Sequence, residues 1–338
     1  MEIKEYKLGD ICVVKNGTKN KEDCSKNGKY NFYTRSKIVL KSNDWTVDGE
    51  CTIIPGEGIF YPLWNNGKAA IHQRVYYIKS NELILKNKYL YYWWFKNSWI
   101  LYQNAVGTTV KSLRMNNFID PKIKLPNIQT QQAIINIIEP FENLKNKINN
   151  KLHYLKDITL ICINNFNLNK KFSLNNFVNF QGFSFKSNDF IPNNGKYIIY
   201  KISNITNSKQ NTSYTNNLIS SCLLREGDVV TGLSGTIGTS DVILESDKFL
   251  LNQRLLAIKT NYPLLIKLII ENNKNILEKK STGSVQMNIT KNDVLNIKYD
   301  SNLNNVFNNL ISKLYINYSK KIILINNAIK LLIDLYIF

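Results

Sequence analysis

Two short segments of this sequence pair an amide side chain with a guanidinium group: Gln73-Arg74 and Gln253-Arg254. Glutamine can pair with the edge of adenine, and arginine can read guanine or hold a phosphate oxygen. Each pair precedes an apolar segment that is typical of a strand. The alternative is structural: the glutamine closes a loop on the backbone, and the arginine is an ordinary surface cation.

A second candidate contact is a glycine followed by a hydroxyl side chain, ahead of a short helix. The two instances are Gly107-Thr108-Thr109 and Gly283-Ser284. Backbone N–H groups and hydroxyls in such a loop suit phosphate oxygens, although an ordinary connecting turn is the alternative. The candidate side chains here are Thr108, Thr109, Lys111, Arg114, Ser284, Gln286 and Asn288. A hairpin predicted around Asn65-Asn66-Gly67 adds Lys68, Tyr61 and Trp64 at lower weight.

The chain lacks recognisable catalytic machinery. It contains no GxxxxGK[ST] phosphate loop and no Asn-Pro-Pro-aromatic motif of an amino-methyltransferase. The five cysteines include no CxxC pair, and only two histidines are present. GLSGTIG at residues 232–238 superficially resembles a glycine-rich loop, but a hairpin turn is the better interpretation. The sequence therefore predicts a binding protein with no catalytic residue, no cofactor and no metal.

The charge of the chain indicates what it binds. The formal net charge is +19, shared as +10 and +9 between residues 1–169 and 170–338. An excess spread over both halves favours a polyanion contacted by both, with nucleic acid the leading candidate. The alternative is that the proteins of the source organism are basic in general, so that the charge indicates no particular partner. Lysine supplies 39 of the 44 basic residues, which is consistent with such a bias.

An internal duplication accounts for these recurring segments, at offsets between 165 and 180 residues. The paired segments are Leu8–Gly17 with Leu174–Gly182, Gly28-Lys29-Tyr30 with Gly195-Lys196-Tyr197, Glu57-Gly58 with Glu226-Gly227, and the Gln-Arg and Gly-Thr/Ser pairs. Each copy opens with mixed strands and short helices, including a predicted helix over Lys88–Tyr102 whose tryptophans we assign to the core. A capping box at Thr290 predicts the start of a short helix.

Each copy closes with a long amphipathic helix, over residues 131–167 and 303–338. The predicted apolar stripe of the first helix contains Ile134, Ile138, Phe141, Leu144, Ile148, Leu152, Leu155, Cys162 and Phe166. That of the second contains Leu310, Leu314, Leu324, Ala328, Leu331, Leu335 and Phe338. Steps of three and four residues are typical of a coiled coil, and the other long helix is the economical partner for each.

The predicted fold class is therefore α/β (α+β), with two tandem globular domains joined by two long helices. The helices form an antiparallel coiled coil, and the duplication is a pseudo-two-fold one. The predicted boundaries are 1–127 for the first domain, 128–169 for the first long helix, 170–300 for the second domain and 301–338 for the second long helix.

The order of these features resembles the specificity subunit of type I restriction–modification systems over nearly the whole chain. The residues that carry the resemblance are Leu8-Gly9-Asp10, Gln73-Arg74, Tyr89-Leu90-Tyr91-Tyr92, Gly107-Thr108-Thr109, Ile123-Lys124-Leu125-Pro126 and Gln131-Gln132. The second copy departs from the pattern: Asp300-Ser301-Asn302-Leu303 stands where a Pro…Gln junction is expected.

The resemblance implies two target recognition domains that each read one half of a split site in double-stranded DNA. It also implies partners: two methyltransferase subunits, and a restriction subunit in the full enzyme. The rival interpretation is a non-catalytic basic scaffold that binds RNA or an anionic membrane surface, and a more distant one is an enzyme with an unrecognised active site.

The expected location is the cytoplasm, with no membrane partner. The most apolar stretch, residues 322–338, is too short and too polar to span a bilayer, and the N-terminus lacks the apolar core of a signal peptide.

Overall fold

Strands and helices follow the same order twice along the chain. The computed structural model describes residues 3–165, 171–191, 194–206, 212–282, 287–300, 303 and 305–338. It divides into two units: unit 1 comprises residues 1–144 and 325–338, and unit 2 comprises residues 145–324. Each unit thus contains one end of the first long helix and the opposite end of the second.

The strands of the first copy are β1 (Lys4–Lys7), β2 (Cys12–Asn16), β3 (Tyr30–Tyr33), β4 (Leu40–Ser42), β5 (Cys51–Pro55), β6 (Leu63–Asn65), β7 (Ala69–Ile71), β8 (Val75–Ser80) and β9 (Lys122–Leu125). The helices are α1 (Leu8–Ile11), α2 (Asn87–Asn97), α3 (Trp99–Asn104), α4 (Asn116–Ile119) and the long α5 (Ile128–Asn165), with a 3₁₀ turn at Lys21–Asp23.

The strands of the second copy are β10 (Lys171–Ser173), β11 (Asn179–Gln181), β12 (Tyr197–Tyr200), β13 (Ser213–Thr215), β14 (Val229–Gly232), β15 (Ser240–Val242), β16 (Phe249–Leu251), β17 (Leu255–Ile258) and β18 (Lys298–Asp300). The helices are α6 (Ile202–Ile205), α7 (Pro263–Asn272), α8 (Lys274–Lys280), α9 (Lys291–Leu295) and the long α10 (Val306–Tyr336), with 3₁₀ turns at Leu174–Asn176, Ser187–Asp189 and Ser220–Cys222.

The sheet topology of the two units is the same. Unit 1 has a four-stranded antiparallel sheet of order β2-β8-β5-β6, a three-stranded sheet of order β4-β3-β7 and the pair β1-β9. Unit 2 repeats these as β11-β17-β14-β15, β13-β12-β16 and β10-β18. In each three-stranded sheet the central strand runs parallel to one neighbour and antiparallel to the other. The predicted duplication is confirmed.

One of the predicted repeat pairs is wrong. The N–H of Gly56 donates to the carbonyl of Arg74 (2.9 Å), as the N–H of Leu233 donates to the carbonyl of Arg254 (3.0 Å). The counterpart of Glu57-Gly58 is therefore Ser234-Gly235, and both of these glycines have positive φ, +83° and +75°. Glu226-Gly227 precedes β14, as residues 48–49 precede β5.

The predicted helix over Lys88–Tyr102 forms in two pieces, α2 and α3, which meet at Ser98. The side chain of Asn97 donates to the carbonyl of Trp93 (3.0 Å), a local bond that competes with helix continuation. Trp93 and Trp94 are buried as predicted, whereas Trp99 is 54% exposed. The core assignment is therefore wrong for Trp99.

The long helices run antiparallel. Within unit 2 the ammonium of Lys151 lies 5.6 Å from the ring of Tyr318 and that of Lys156 lies 5.9 Å from the ring of Tyr315, so residue numbers rise on one helix as they fall on the other. Leu152 and Leu155 of α5 pack into the core cluster that also contains Ile311 and Tyr315. None of the described helices carries an apolar stretch that would span a bilayer.

The predicted apolar stripe of α10 is wrong by one or two positions. The buried residues are Ile311, Tyr315, Ile325, Ile329, Ile333 and Ile337, whereas Leu310, Leu324, Leu331 and Leu335 are 55–67% exposed. Neighbouring residues of a helix lie about 100° apart, so the sequence carries two apolar faces side by side and only packing selects one. On α5, Ile134, Ile138 and Ile148 are buried as predicted, but Phe141 and Leu144 are exposed. Phe166 of the predicted stripe lies outside the described residues.

Candidate nucleic-acid interface

Gln73 and Arg74 form the turn that joins β7 to β8. The backbone of Gln73 holds this turn in place: its N–H donates to the carbonyl of Lys19 (2.8 Å), and its carbonyl accepts from the side chain of Asn16 (3.2 Å). Both side chains of the turn are exposed. The backbone therefore closes the loop and leaves the amide and the guanidinium on the surface.

Gln253 and Arg254 form the same turn in unit 2, between β16 and β17. The carbonyl of Gln253 accepts a hydrogen bond from the side chain of Gln181 (3.0 Å), which stands where Asn16 stands in unit 1. Both side chains are again exposed. The two Gln-Arg pairs are thus presented on equivalent turns.

The guanidinium of Arg74 belongs to a three-residue cluster in unit 1. Glu57 accepts a hydrogen bond from Arg74 through one carboxylate oxygen (2.6 Å) and from Arg35 through the other (2.7 Å). The Glu57 side chain is 18% exposed, while those of Arg35 and Arg74 are 52% and 55% exposed. Burial opposes ionisation of Glu57, but the two arginines outweigh it and hold the pKa of its carboxyl below the ordinary value. The cluster therefore carries a net positive charge.

Strand geometry brings this cluster together. β3 and β7 are parallel neighbours, with Tyr33 opposite Ile71, and the N–H of His72 donates to the carbonyl of Tyr33 (3.0 Å). Because parallel strands end at the same edge of a sheet, Arg35 after β3 and Arg74 after β7 emerge side by side.

The Gly-Thr loop lies next to this cluster. The N–H of Gly58 donates to the carbonyl of Lys111 (2.9 Å), and Glu57 pairs with Ser112 in an antiparallel bridge. Thr108, Thr109 and Lys111 are all exposed. The structure therefore brings this loop and the Gln73-Arg74 turn onto one surface, as a contact with a polyanion requires.

Arg114 lies just beyond this loop, at the start of α4. It is exposed, and its N–H donates to the side chain of Asn117 (2.5 Å). The predicted short helix after the Gly-Thr segment is α4, and the capping box predicted at Thr290 is confirmed at the start of α9.

The hairpin predicted around Asn65-Asn66-Gly67 is wrong. β6 pairs with β5 and β7 pairs with β3, so the strands on either side belong to different sheets. Lys68 precedes β7, at the opposite end of that strand from the Gln73-Arg74 turn, and its ammonium lies 4.8 Å from the ring of Trp45. Trp64 packs against Tyr91 (5.8 Å between ring centres), which makes it a structural residue.

The corresponding surface of unit 2 contains an open pocket of about 470 Å³. Its lining includes Gln253, Arg254, Ser234, Thr290 and Lys291. Asn288 pairs with Ser234 and with Thr282, as Ser112 pairs with Glu57 and with Val106. Ser284 and Gln286, the predicted phosphate contacts, lie outside the described residues. The predicted turn within GLSGTIG is confirmed, since β14 and β15 form an antiparallel hairpin.

The sequence-based prediction missed Arg35 and Glu57. A signal for Arg35 was available, because the chain has only five arginines and three of them, Arg74, Arg114 and Arg254, were already candidates. Glu57 carried no such signal, since a single carboxylate before a glycine is unremarkable until its partners are known.

The arrangement offers cations, amides and hydroxyls on an exposed surface. Within the described part of the chain, no group of three or more His, Cys, Asp or Glu side chains could hold a metal ion. Such a surface can bind phosphates and base edges through hydrogen bonds and charge.

Comparison with known proteins finds a similar domain and similar subunits. Residues 1–154 match the model of the type I restriction modification DNA specificity domain. The first copy of the duplication, with the start of α5, is therefore similar to that domain. The specificity subunit of the EcoDI type I restriction enzyme from Escherichia coli is 25% identical to this chain over 134 residues, which is 40% of this chain and 30% of that subunit. The chain therefore matches less than one third of the length of this curated relative.

The fold of this chain is also found in a solved structure. The S subunit of a type I restriction–modification system from M. genitalium matches with a TM-score of 0.56 at 14% identity, covering 99% of this chain and 94% of that one. The likeness at this identity is one of fold, and it extends over both units, including the part beyond residue 154.

Proposed function

We propose that the chain is the DNA-recognition subunit of a type I restriction–modification enzyme. It binds a bipartite site in double-stranded DNA, and each unit reads one half. The observation that carries this proposal is the repeated turn: Gln73-Arg74 and Gln253-Arg254 sit on equivalent, backbone-anchored turns with their side chains exposed. In DNA, these side chain types match the major-groove edges of adenine and guanine.

The candidate residues have two roles: some position the chain on the DNA backbone, and others read the bases. Thr108, Thr109, Lys111 and Arg114 contact phosphates, while the Gln-Arg pairs contact bases. The target recognition domains are residues 1–127 and 170–300, and the conserved helical segments are residues 128–169 and 301–338. The net charge of +19 supplies the sequence-independent attraction.

The partners are methyltransferase subunits, two per chain, with restriction subunits added in the full enzyme. The support is the apolar face of α10 that the fold leaves in water: Leu324, Leu331 and Leu335 are each 67% exposed. A stripe of exposed leucines marks a protein contact more often than a solvated surface. In this proposal the chain catalyses nothing itself, the methyltransferase subunits supply the chemistry, and the complex works in the cytoplasm.

Selection from random duplex DNA tests this function. The full chain, with its methyltransferase subunits, is incubated with a pool of duplexes of random sequence, and the bound fraction is sequenced. We expect two short motifs separated by a constant gap of unspecified bases. A single-stranded RNA competitor that displaces the selected duplex as well as the same duplex does would favour the rival scaffold function.

A further inference from the structure

The position of Glu57 differs between the two units in a way that changes their chemistry. In unit 1 its carboxylate accepts from Arg35 and Arg74, one through each oxygen (2.7 and 2.6 Å). In unit 2 the equivalent residue is Ser234, which is 4% exposed and whose hydroxyl has no hydrogen-bond partner among the described residues. The residue that faces the turn is therefore a carboxylate in unit 1 and a serine in unit 2.

The backbone around Glu57 is fixed on both sides. The N–H of Leu113 donates to the carbonyl of Gly56 (2.8 Å), and the N–H of Gly58 donates to the carbonyl of Lys111 (2.9 Å). Glu57 lies between these two bonds, so its backbone is held in place, and its side chain is only 18% exposed. It acts as a fixed anchor for two long, half-exposed side chains.

Anchoring changes what the arginines can do. A free arginine loses rotamer freedom when it binds a base, and this loss weakens its preference for one geometry. An arginine already held by a carboxylate presents its remaining N–H donors in a set direction, as bidentate pairing with the O6 and N7 acceptors of guanine requires. The carboxylate also cancels one of the two positive charges, which lowers indiscriminate attraction to phosphates.

We propose that Glu57 is a positioning residue for base discrimination by unit 1: it holds Arg35 and Arg74 as one two-guanidinium reader for guanine in the half-site. This inference rests on the proposed DNA-recognition function. It identifies Glu57 as the group that determines how accurately unit 1 recognises the bases of its half-site. Unit 2 carries Ser234 at the equivalent position, and serine offers no carboxylate there.

Glu57→Gln tests the proposal, because it keeps the size of the side chain and removes its charge. The variant is compared with the wild-type chain on duplexes that carry each single base change in the selected site. We expect the preference for guanine at one position to fall from roughly 10–100-fold to a few-fold, in one half-site only. We expect affinity for unrelated duplex DNA to rise and the slope of log affinity against log salt to steepen by up to about one, because a positive charge is uncovered.

These two changes distinguish positioning from a structural role. A damaged turn would lower affinity for all DNA and would not steepen the salt dependence. Glu57→Ser is a second variant, since the equivalent turn of unit 2 already accommodates serine, and it should give the same pattern. The matched control is Glu226→Gln, which removes a carboxylate that pairs with Lys320 (2.6 Å) on the long helix, and it should change neither quantity.

Arg74→Ala identifies the half-site that unit 1 reads. The proposal is overturned if Glu57→Gln leaves every base preference unchanged, or if it alters a different half-site from Arg74→Ala. If the wild-type chain shows no sequence preference on duplex DNA, the proposed function itself fails, and this outcome is visible before any variant is made.

Discussion

The side chain of Gln131, at the start of α5, accepts a hydrogen bond from the backbone N–H of Lys86 (2.9 Å). Its amide nitrogen donates to the carbonyls of Ile84 and Pro126 (3.0 Å each), and the residue is fully buried. One side chain thus satisfies three backbone groups at the point in unit 1 where the long helix begins. Near the start of α10, Asn308 is also buried, and its side-chain oxygen has no partner within the described part of the chain.

Replacement of Gln131 should therefore destabilise unit 1. Gln131→Ala leaves three buried backbone groups without partners, and we expect a loss of about 2–4 kcal/mol in the free energy of unfolding. Urea denaturation followed by circular dichroism measures this loss. The control is Gln132→Ala, since the neighbouring glutamine is exposed and bonds only to Asn136 among the described contacts. Equal stability of the two variants would contradict the role given to Gln131.

His72 should make the stability of unit 1 depend on pH. Burial, together with the charges of Arg35 and Arg74, lowers the pKa of its imidazole from the ordinary 6.5. Its Nδ1 also accepts a hydrogen bond from the backbone N–H of Arg74 (3.1 Å). As the pH falls below about 6.5, the unfolded chain binds the proton before the folded chain does, so stability decreases until the folded pKa is passed.

The test of this dependence is His72→Asn, which installs the residue that unit 2 carries at the same point of its turn, Asn252. Urea midpoints are measured at several values between about pH 7.5 and about pH 5. We expect the midpoint of the wild-type chain to fall more steeply than that of the variant. If the midpoints of the two chains fell in parallel with pH, protonation of the His72 imidazole would not be the cause of the pH dependence.

Lys111 and Arg114 should act on phosphates rather than on bases. Each change to alanine should weaken binding to all duplexes about equally and flatten the slope of log affinity against log salt by about one per lost contact. Titrations of a fluorescent duplex at several salt concentrations measure both effects, with Lys147→Ala on α5 as the control for an exposed lysine. Loss of discrimination at one base with an unchanged slope would instead make them base readers.

The exposed leucines of α10 should matter for assembly and not for folding. Because Leu324, Leu331 and Leu335 are 67% exposed, a change of each to glutamine should leave the melting temperature nearly unchanged. If a methyltransferase subunit covers them, each change should weaken the complex by about 1 kcal/mol. Titration of the chain with the proposed methyltransferase subunits measures this, and Lys321→Gln on the same helix is the control. Unchanged affinity in the triple variant would rule out this face as the contact.

The sequence by itself determined the features that depend on neighbouring residues. Its recurring segments predicted the duplication, its steps of three and four residues predicted both long helices, and its Gln-Arg pairs predicted two equivalent positions that each precede a strand. Thr290 with Asp293 predicted a helix start for the same reason: a capping box needs only residues three apart. Each of these signals depends on residue types and their spacing along the chain, so a linear pattern is enough to reveal it.

Only the tertiary structure decided which residues meet. Glu57 lies 22 residues from Arg35 and 17 from Arg74, and the three converge because two parallel strands end at one sheet edge. The buried stripe of α10 was likewise chosen by packing, since the isoleucine face and the leucine face are both apolar and lie side by side along the helix. The mismatch of Glu57 with Glu226 has the same origin: short motifs can align by letter, whereas hydrogen-bond register aligns Glu57 with Ser234. Long-range pairing is set by strand order and by burial, which are properties of the folded chain as a whole.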